Sequence, residues 1–412
     1  MSTEPQAQNK ITSILIWLSI TAFYCYQYIL RTLPNIIMPE MMSKYSIGAA
    51  EFGSFSGIYY ISYIIVHIPI GILLSRFSGK IILPLCVFIT AVGLAPLIYF
   101  DSWEYVIIGR ILTGIGSSAA IVGALQIFRT IYPDKFSRML GFTVFFGLIT
   151  VVFIGGILTR LIKTAGVSVT MNILFYAGII LSIITFFLMP KSTSEVTGTN
   201  TLSDIKAVIT NPQLVLTGIF AGLMIGPLEG FADAWGSAFL GAVYGIGKTT
   251  ADYYTLSIYL GMCIGCIILP YFADKTDRHV EITILSGFVM ILCFIYILST
   301  KANIDALYYI CIITGIFCAY QVVIITKIAT FVPENLSGTA AALSNMIITA
   351  FGWVFHRLIS GNMERLWDGT VIEDVRIYSA QAYINSIAII PAAILPAVLG
   401  LYFIMRNIKR LA

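Results

Sequence analysis

Long apolar runs, separated by short polar stretches, make up almost the whole chain. A helix that crosses a bilayer needs about 20 mostly apolar residues. With that length as a ruler, runs fall near 11–33, 51–74, 81–100, 104–129, 138–160 and 169–190. A polar stretch from Lys191 to Pro212, rich in Ser, Thr, Asn and Gly, follows. Six more runs fall near 213–240, 251–273, 281–299, 304–330, 338–360 and 379–405. The pattern predicts an all-α membrane protein with twelve transmembrane helices: an N-terminal six-helix bundle (1–190), a linker (191–212) and a C-terminal six-helix bundle (213–412). The first run is longer than the apolar core of a cleaved secretion signal and is expected to remain as a helix.

Composition removes the soluble alternative. Hydrophobic residues are 58% of the chain and charged residues 11%, with a mean hydropathy of +0.92. A soluble domain carries about 25% charged residues to wet its surface. The net charge of +4 is spread over short loops and forms no nucleic-acid patch. The seven cysteines, at 25, 86, 263, 266, 293, 311 and 318, all fall within apolar runs, unlike a disulfide framework. Cys263 and Cys266 form a CxxC on a membrane helix without further ligands, which reads as packing, and no metal or cofactor is expected.

The short loops carry an orientation signal. Loops on the side of the two termini hold 14 of the Lys and Arg residues and the opposite loops 8, with Arg31 and Arg110 inside the membrane. By the positive-inside rule both termini are expected in the cytoplasm.

The halves echo each other. Ser75-Arg76-Phe77-Ser78-Gly79-Lys80 follows the second run, and Asp274-Lys275-Thr276-Asp277-Arg278-His279 follows the eighth, 199 residues later. Pro133-Asp134-Lys135-Phe136-Ser137 follows the fourth, and Pro333-Glu334-Asn335-Leu336-Ser337 the tenth, 200 residues later. A duplicated unit of this kind is how many secondary transporters build a site at the interface of their repeats.

At these loops the chain resembles the major facilitator superfamily, whose loop between helices 2 and 3 follows G-x-L-x-D-R-x-G-R-R. Here it reads Gly71-Ile-Leu73-Leu-Ser75-Arg76-Phe-Ser78-Gly79-Lys80, with Ser75 at the acidic position. The second copy keeps its acid, Asp274, with Lys275 and Arg278. The resemblance implies a cytoplasmic gate made by Arg76, Asp274, Lys275 and Arg278, in which the acid caps a partly positive helix end. A second family motif, R-x-x-x-G-x-G, is Arg110-Ile-Leu-Thr-Gly114-Ile-Gly116 on helix 4. The glycine-proline signature of drug/proton antiporters on helix 5 is present only as Gly155-Gly156. The segment Phe23-Tyr24-Cys-Tyr26-Gln27-Tyr28-Ile-Leu30-Arg31-Thr-Leu-Pro34-Asn35, with Met38-Pro39-Glu40, Tyr59-Tyr60 and the Pro69–Gly71 pair, is similar to the phagosomal transporter subfamily of intracellular bacterial pathogens. That resemblance implies import of amino acids or, in some members, nucleosides, through a monomer in a bacterial inner membrane.

Intramembrane ionisable groups are functional candidates by default. They are Arg31 on helix 1, Arg110 on helix 4, and Glu229 and Asp233 on helix 7, the acids at i, i+4 on one face. In the fold that the resemblance implies, helices 1, 4, 7 and 10 line a central cavity. Arginine there suits the carboxylate of a zwitterion, and an acid its ammonium group. Two close carboxylates do not both ionise cheaply, so Glu229 and Asp233, with Arg110 as a coupling element, are candidates to carry a proton. The alternative stays open that Arg31 and Asp233 form an ion pair that opens and closes as a gate. Tyr24, Gln27, Gln321 and Asn345 add polar side chains for a substrate. His67, beside Pro69, reads as helix packing.

Ala242-Val-Tyr-Gly-Ile-Gly247-Lys248-Thr249 fits a relaxed phosphate-loop pattern, but it joins two membrane spans rather than a buried strand and a helix. No nucleophile–base pair, ligand cluster or soluble domain supports an enzyme or sensor. The expected function is proton-coupled import of a small polar metabolite, an amino acid first, with a nucleoside importer or a proton-coupled exporter on the same fold as alternatives. The expected partners are that solute, the proton and the lipid bilayer.

Overall fold

The computed structural model describes residues 10–132, 135–189, 201–299, 302–333, 336–372 and 375–411. Among them, twelve helices are long and apolar enough to cross a membrane: α1 (Lys10–Tyr45), α2 (Ala49–Leu74), α3 (Gly79–Tyr99), α4 (Trp103–Phe128), α5 (Arg138–Ala165), α6 (Val167–Leu188), α7 (Pro212–Tyr244), α8 (Lys248–Thr276), α9 (His279–Ile297), α10 (Ile304–Ala329), α11 (Ser337–Arg365) and α12 (Ala380–Arg406). A short helix, Thr201–Ile209, precedes α7. Asp134, Glu334, Asn335, the linker up to residue 200 and the Arg76 side chain lie outside the described residues.

Capping chemistry fixes several helix ends. Asn211 accepts from the backbone N–H groups of Gln213 (3.0 Å) and Leu214 (3.2 Å), with Pro212 in the first turn where no N–H is needed. Asn303 does the same for Asp305 at the start of α10, at 2.8 Å. Gly245, at φ +67°, ends α7 in the left-handed region that glycine enters without strain.

The main departure from the expected boundaries is α1, which runs twelve residues beyond the predicted 33, to Tyr45. Arg31 and the two prolines, Pro34 and Pro39, look like a stop, yet both prolines lie inside the helix. Proline cannot donate to the carbonyl four residues earlier, which for Pro34 is Leu30. Arg110 supplies that bond instead, its Nη1 donating to the Leu30 carbonyl at 2.7 Å. A buried cation therefore completes a helix that its own sequence interrupts.

The chain forms two compact units. The first takes in Met1–Leu30, Ser62–Thr150 and Ser168–Thr197 as far as these are described, and the second Arg31–Ile61, Val151–Val167 and Gly198–Ala412. α1, α2 and α5 are thus each divided between the two, with Arg31–Tyr45, the far half of α1, in the second. In the first unit α1 is tied to α5 by Thr21–Thr143 (2.8 Å) and to α6 by Ser19–Thr185 (2.9 Å). In the second unit, α8 and α10 meet backbone to backbone at Gly261 and Gly315. A methyl group on Gly261 would run into the Ile312 carbonyl, and one on Gly315 into that of Ile258. Small residues are what let membrane helices approach so closely. Residues such as Ile65 (67% exposed), Phe187 (73%) and Ile267 (67%) cover faces that only lipid would solvate.

The segment after α11 forms a short hairpin, β1 (Val371–Ile372) against β2 (Val375–Arg376). Arg376 pairs with Glu364 at the end of α11. Tyr378 donates to Glu364 at 2.9 Å and accepts from the Ala49 backbone at 2.6 Å, joining α11 to the start of α2. Burial pushes the Tyr378 hydroxyl up to about 12, so it remains a donor throughout the neutral range.

Gly315→Val is expected to cost about 3 kcal/mol by overpacking and to reduce sharply the monodisperse fraction on size-exclusion chromatography in detergent. Gly141→Ala, whose added methyl meets open space within 4 Å, should leave that fraction unchanged.

Candidate functional site

The middle of α7 is not an ordinary helix. Gly226–Trp235 is π-helical, and every side chain in it is buried. Pro227 near its start and glycines at 226, 230 and 236 leave this stretch with little side-chain bulk and a loosened hydrogen-bond pattern. Glu229 and Asp233 project from it.

Both acids meet one guanidinium. Arg31 Nη2 lies 2.5 Å from Glu229 Oε1, and Arg31 Nε lies 2.9 Å from Asp233 Oδ2. The carboxylates are 2% exposed and the arginine side chain 11%, so water does little to screen them. Tyr60 on α2 donates to Asp233 Oδ2, and its ring centroid lies 5.4 Å from the guanidinium carbon. His356 of α11 packs against the same ring, with centroids 5.5 Å apart at 33°. Gly352, one turn before His356, leaves the room required. A methyl there would come within 2.9 Å of Glu229 Oε2 and of the Tyr60 ring. All of these residues belong to the second unit.

One turn farther along, the same two helices meet again. Asn35 Oδ1 accepts from the Ser237 backbone N–H at 3.2 Å. The Ser237 hydroxyl donates to Asp252 Oδ1 on α8, and Thr159 of α5 donates to Asp252 Oδ2 at 3.0 Å. Asp252 has no exposed surface. Lys248, at the start of α8, pairs with Glu40 of α1.

The other expected residues have contacts of their own. Tyr24 and Gln27 are buried in the first unit, Tyr24 packing on Tyr28 with centroids 5.1 Å apart. Arg110 is in the first unit too, bonded to the Leu30 carbonyl. Gln321 and Asn345, half-buried in the second unit, bond each other at 3.2 Å. Asp274 bonds His279 at 3.0 Å, Lys275 lies over the Tyr271 ring at 5.8 Å, and Arg278 sits just ahead of α9. The Asp274–His279 contact joins the end of α8 to the first residue of α9.

Sequence reasoning passed over Asp252 and His356. Asp252 sits where the ruler placed the start of a span, and so it looked like an end residue rather than an intramembrane acid. Its spacing of four from Lys248 was the available signal. Nothing in the sequence marks His356 as a neighbour of Tyr60.

The profile of the Major Facilitator Superfamily matches residues 20–355. Two curated relatives, uncharacterized transporters of Buchnera aphidicola subsp. Schizaphis graminum (strain Sg) and of Buchnera aphidicola subsp. Acyrthosiphon pisum (strain APS), are each 33% identical over 115 and 109 residues. The matched stretches cover 27% and 25% of this chain, and 29% and 28% of the relatives, so the chain spans less than a third of their length. Among solved structures, a bacterial homolog of the human lysosomal transporter Spinster, inward-facing and unoccupied, superposes with a TM-score of 0.78 at 15% identity, over 98% of each chain. A mutant of the nucleoside transporter NupG does so at 0.76 and 14%, over 95% of this chain and 99% of its own. At these identities the likeness is one of fold.

Removing Arg31 would leave two buried carboxylates without their cation. Arg31→Ala is expected to destabilise the protein by about 3–5 kcal/mol. Because a proton neutralises an uncompensated acid, the loss should be greater in mildly alkaline than in mildly acidic buffer. Thermal unfolding of the variant and the unaltered protein in detergent across that range checks both the size and the sign.

Proposed function

The chain belongs to the Major Facilitator Superfamily, and on that premise we propose that it is a secondary transporter which imports a small zwitterionic metabolite, an amino acid first, together with a proton. The observation that carries this reading is the buried cluster of Arg31, Glu229 and Asp233. With both acids ionised, the cluster holds one negative charge in excess of its cation. An excess charge in a water-poor site costs several kcal/mol, and a proton removes it.

The same three groups suit a zwitterion. A substrate carboxylate can take the place of one protein carboxylate on the Arg31 fork, since the planar guanidinium accepts either through paired N–H donors. The acid so released can hold the substrate ammonium group or the proton. Exchange of partners on Arg31 would therefore link solute binding, protonation and the hold between the far half of α1 and α7. Tyr60 keeps Asp233 in place through the exchange, and Gln321 and Asn345, already bonded to each other, remain candidates for polar contact with the solute. The bias of Lys and Arg among the loops supports cytoplasmic termini, with the far side outside.

Uptake of a labelled amino-acid mixture into proteoliposomes, with and without an inward proton gradient, tests this. Gradient-stimulated accumulation of one or a few amino acids is expected, and Asp233→Asn and Glu229→Gln should each abolish the stimulation. Full proton-driven accumulation in either variant would remove that acid from the mechanism. No accumulation of any amino acid would overturn the amino-acid assignment, and nucleosides would be the solutes to try next.

A further inference from the structure

The second unit contains a cavity of about 310 Å³ at the far ends of α1 and α7, beneath the segment that follows α11. Its walls include Asn35, Met38, Met42, Lys248, Arg376 and Tyr383. Its floor is the Asn35–Ser237 contact, four residues along both α1 and α7 from the Arg31–Asp233 contact. That spacing is one helical turn, about 6 Å.

Asn35 is the informative residue. It is 2% exposed, and its Oδ1 is committed to the Ser237 backbone N–H. The donor on the other side fixes which end of the amide is oxygen, so the end left over is the NH2 group. Among the described residues Asn35 Nδ2 has no acceptor. A buried amide donor without an acceptor costs about 1–3 kcal/mol, and an acceptor brought into the cavity would recover it.

The charges around the cavity indicate which acceptor. Lys248 and Arg376 both line it, while the acids paired with them, Glu40 and Glu364, do not. Among the described residues the lining therefore presents two cationic groups and no carboxylate. Met38, Met42 and Tyr383 supply an apolar wall. We propose that this cavity is a binding site for a small carboxylate with a compact apolar body, its carboxylate accepting from Asn35 Nδ2 and facing Lys248 and Arg376. The site is separate from the Arg31 cluster and does not depend on proton coupling. It would hold a solute one turn away from the buried charges, and Asn35 and Ser237 would form the barrier between the two positions.

The test uses the full-length protein in nanodiscs, which leave both faces open to reagent. Ala238, half-buried in the cavity wall, is replaced by cysteine. Its modification is followed with two methanethiosulfonates of similar size, one bearing a sulfonate and the other a trimethylammonium group. The native cysteines set the background, measured on the unaltered protein. The sulfonate reagent should react roughly tenfold faster, as expected for a cleft lined by cations. Leucine and 4-methylpentanoate, which share an apolar body and a carboxylate, should both slow the reaction at millimolar concentration. Asn35→Asp, which keeps the acceptor for Ser237 but replaces the NH2 donor by a carboxylate, should abolish that protection. Equal rates for the two reagents, or a faster trimethylammonium reagent, would overturn the proposal, as would protection by neither compound or by leucine alone. The reagent ratio is read in Ala238→Cys by itself and so stands even if Asn35→Asp fails to fold. Since the readout is modification and not uptake, a protein that accumulates no amino acid can still pass, and one that does can still fail.

Discussion

Two carboxylates and one guanidinium, nearly out of reach of water, set the terms for the second unit. Placing such ions in a low-dielectric interior costs several kcal/mol each unless they are paired and hydrogen-bonded. Glu229 and Asp233 can therefore lie inside the membrane only because Arg31 reaches both and Tyr60 donates to one. The requirement extends to residues that carry no charge. Gly352 leaves room beside Glu229, and the whole π-helical stretch of α7 is buried around the pair. The charge cluster is thus one of the contacts between the far half of α1 and α7, beside the Asn35–Ser237 hydrogen bond.

The prolines of α1 work alongside it. Pro34 interrupts the helix ladder close to Arg31, and the carbonyl it frees is met by Arg110 from α4. The two intramembrane arginines therefore do different work, one balancing acids and the other completing a backbone.

Asp252 extends the polar line beyond the Asn35–Ser237 contact and, among the described residues, makes no direct ion pair. Hydroxyls from Ser237 and Thr159 hold it, and Lys248, one turn before it on α8, pairs with Glu40 instead. Together with the Asn35–Ser237 bond, these contacts add hydrogen bonds to the packing among α1, α5, α7 and α8. A junction of that kind can be made and broken at small net cost, because each hydrogen bond contributes only about 1 kcal/mol net.

Twelve spans and their approximate ends were legible in the sequence, because lipid forces each crossing to be a long apolar helix. The charged candidates were legible for the same reason: an ionisable residue inside such a run is conspicuous. The far end of α1 was not, since Pro34 and Pro39 signal a stop that Arg110, 76 residues after Pro34, repairs. The π-helical form of α7, the stacking of His356 on Tyr60 and the burial of Asp252 were not legible either. Each depends on which faces of distant helices are turned toward each other, and hydropathy along one chain carries no information about that rotation. The sequence by itself determined where the helices are and which charges they carry into the membrane. Only the tertiary structure decided which charge meets which, because the cost of a buried ion is settled by its neighbours in space.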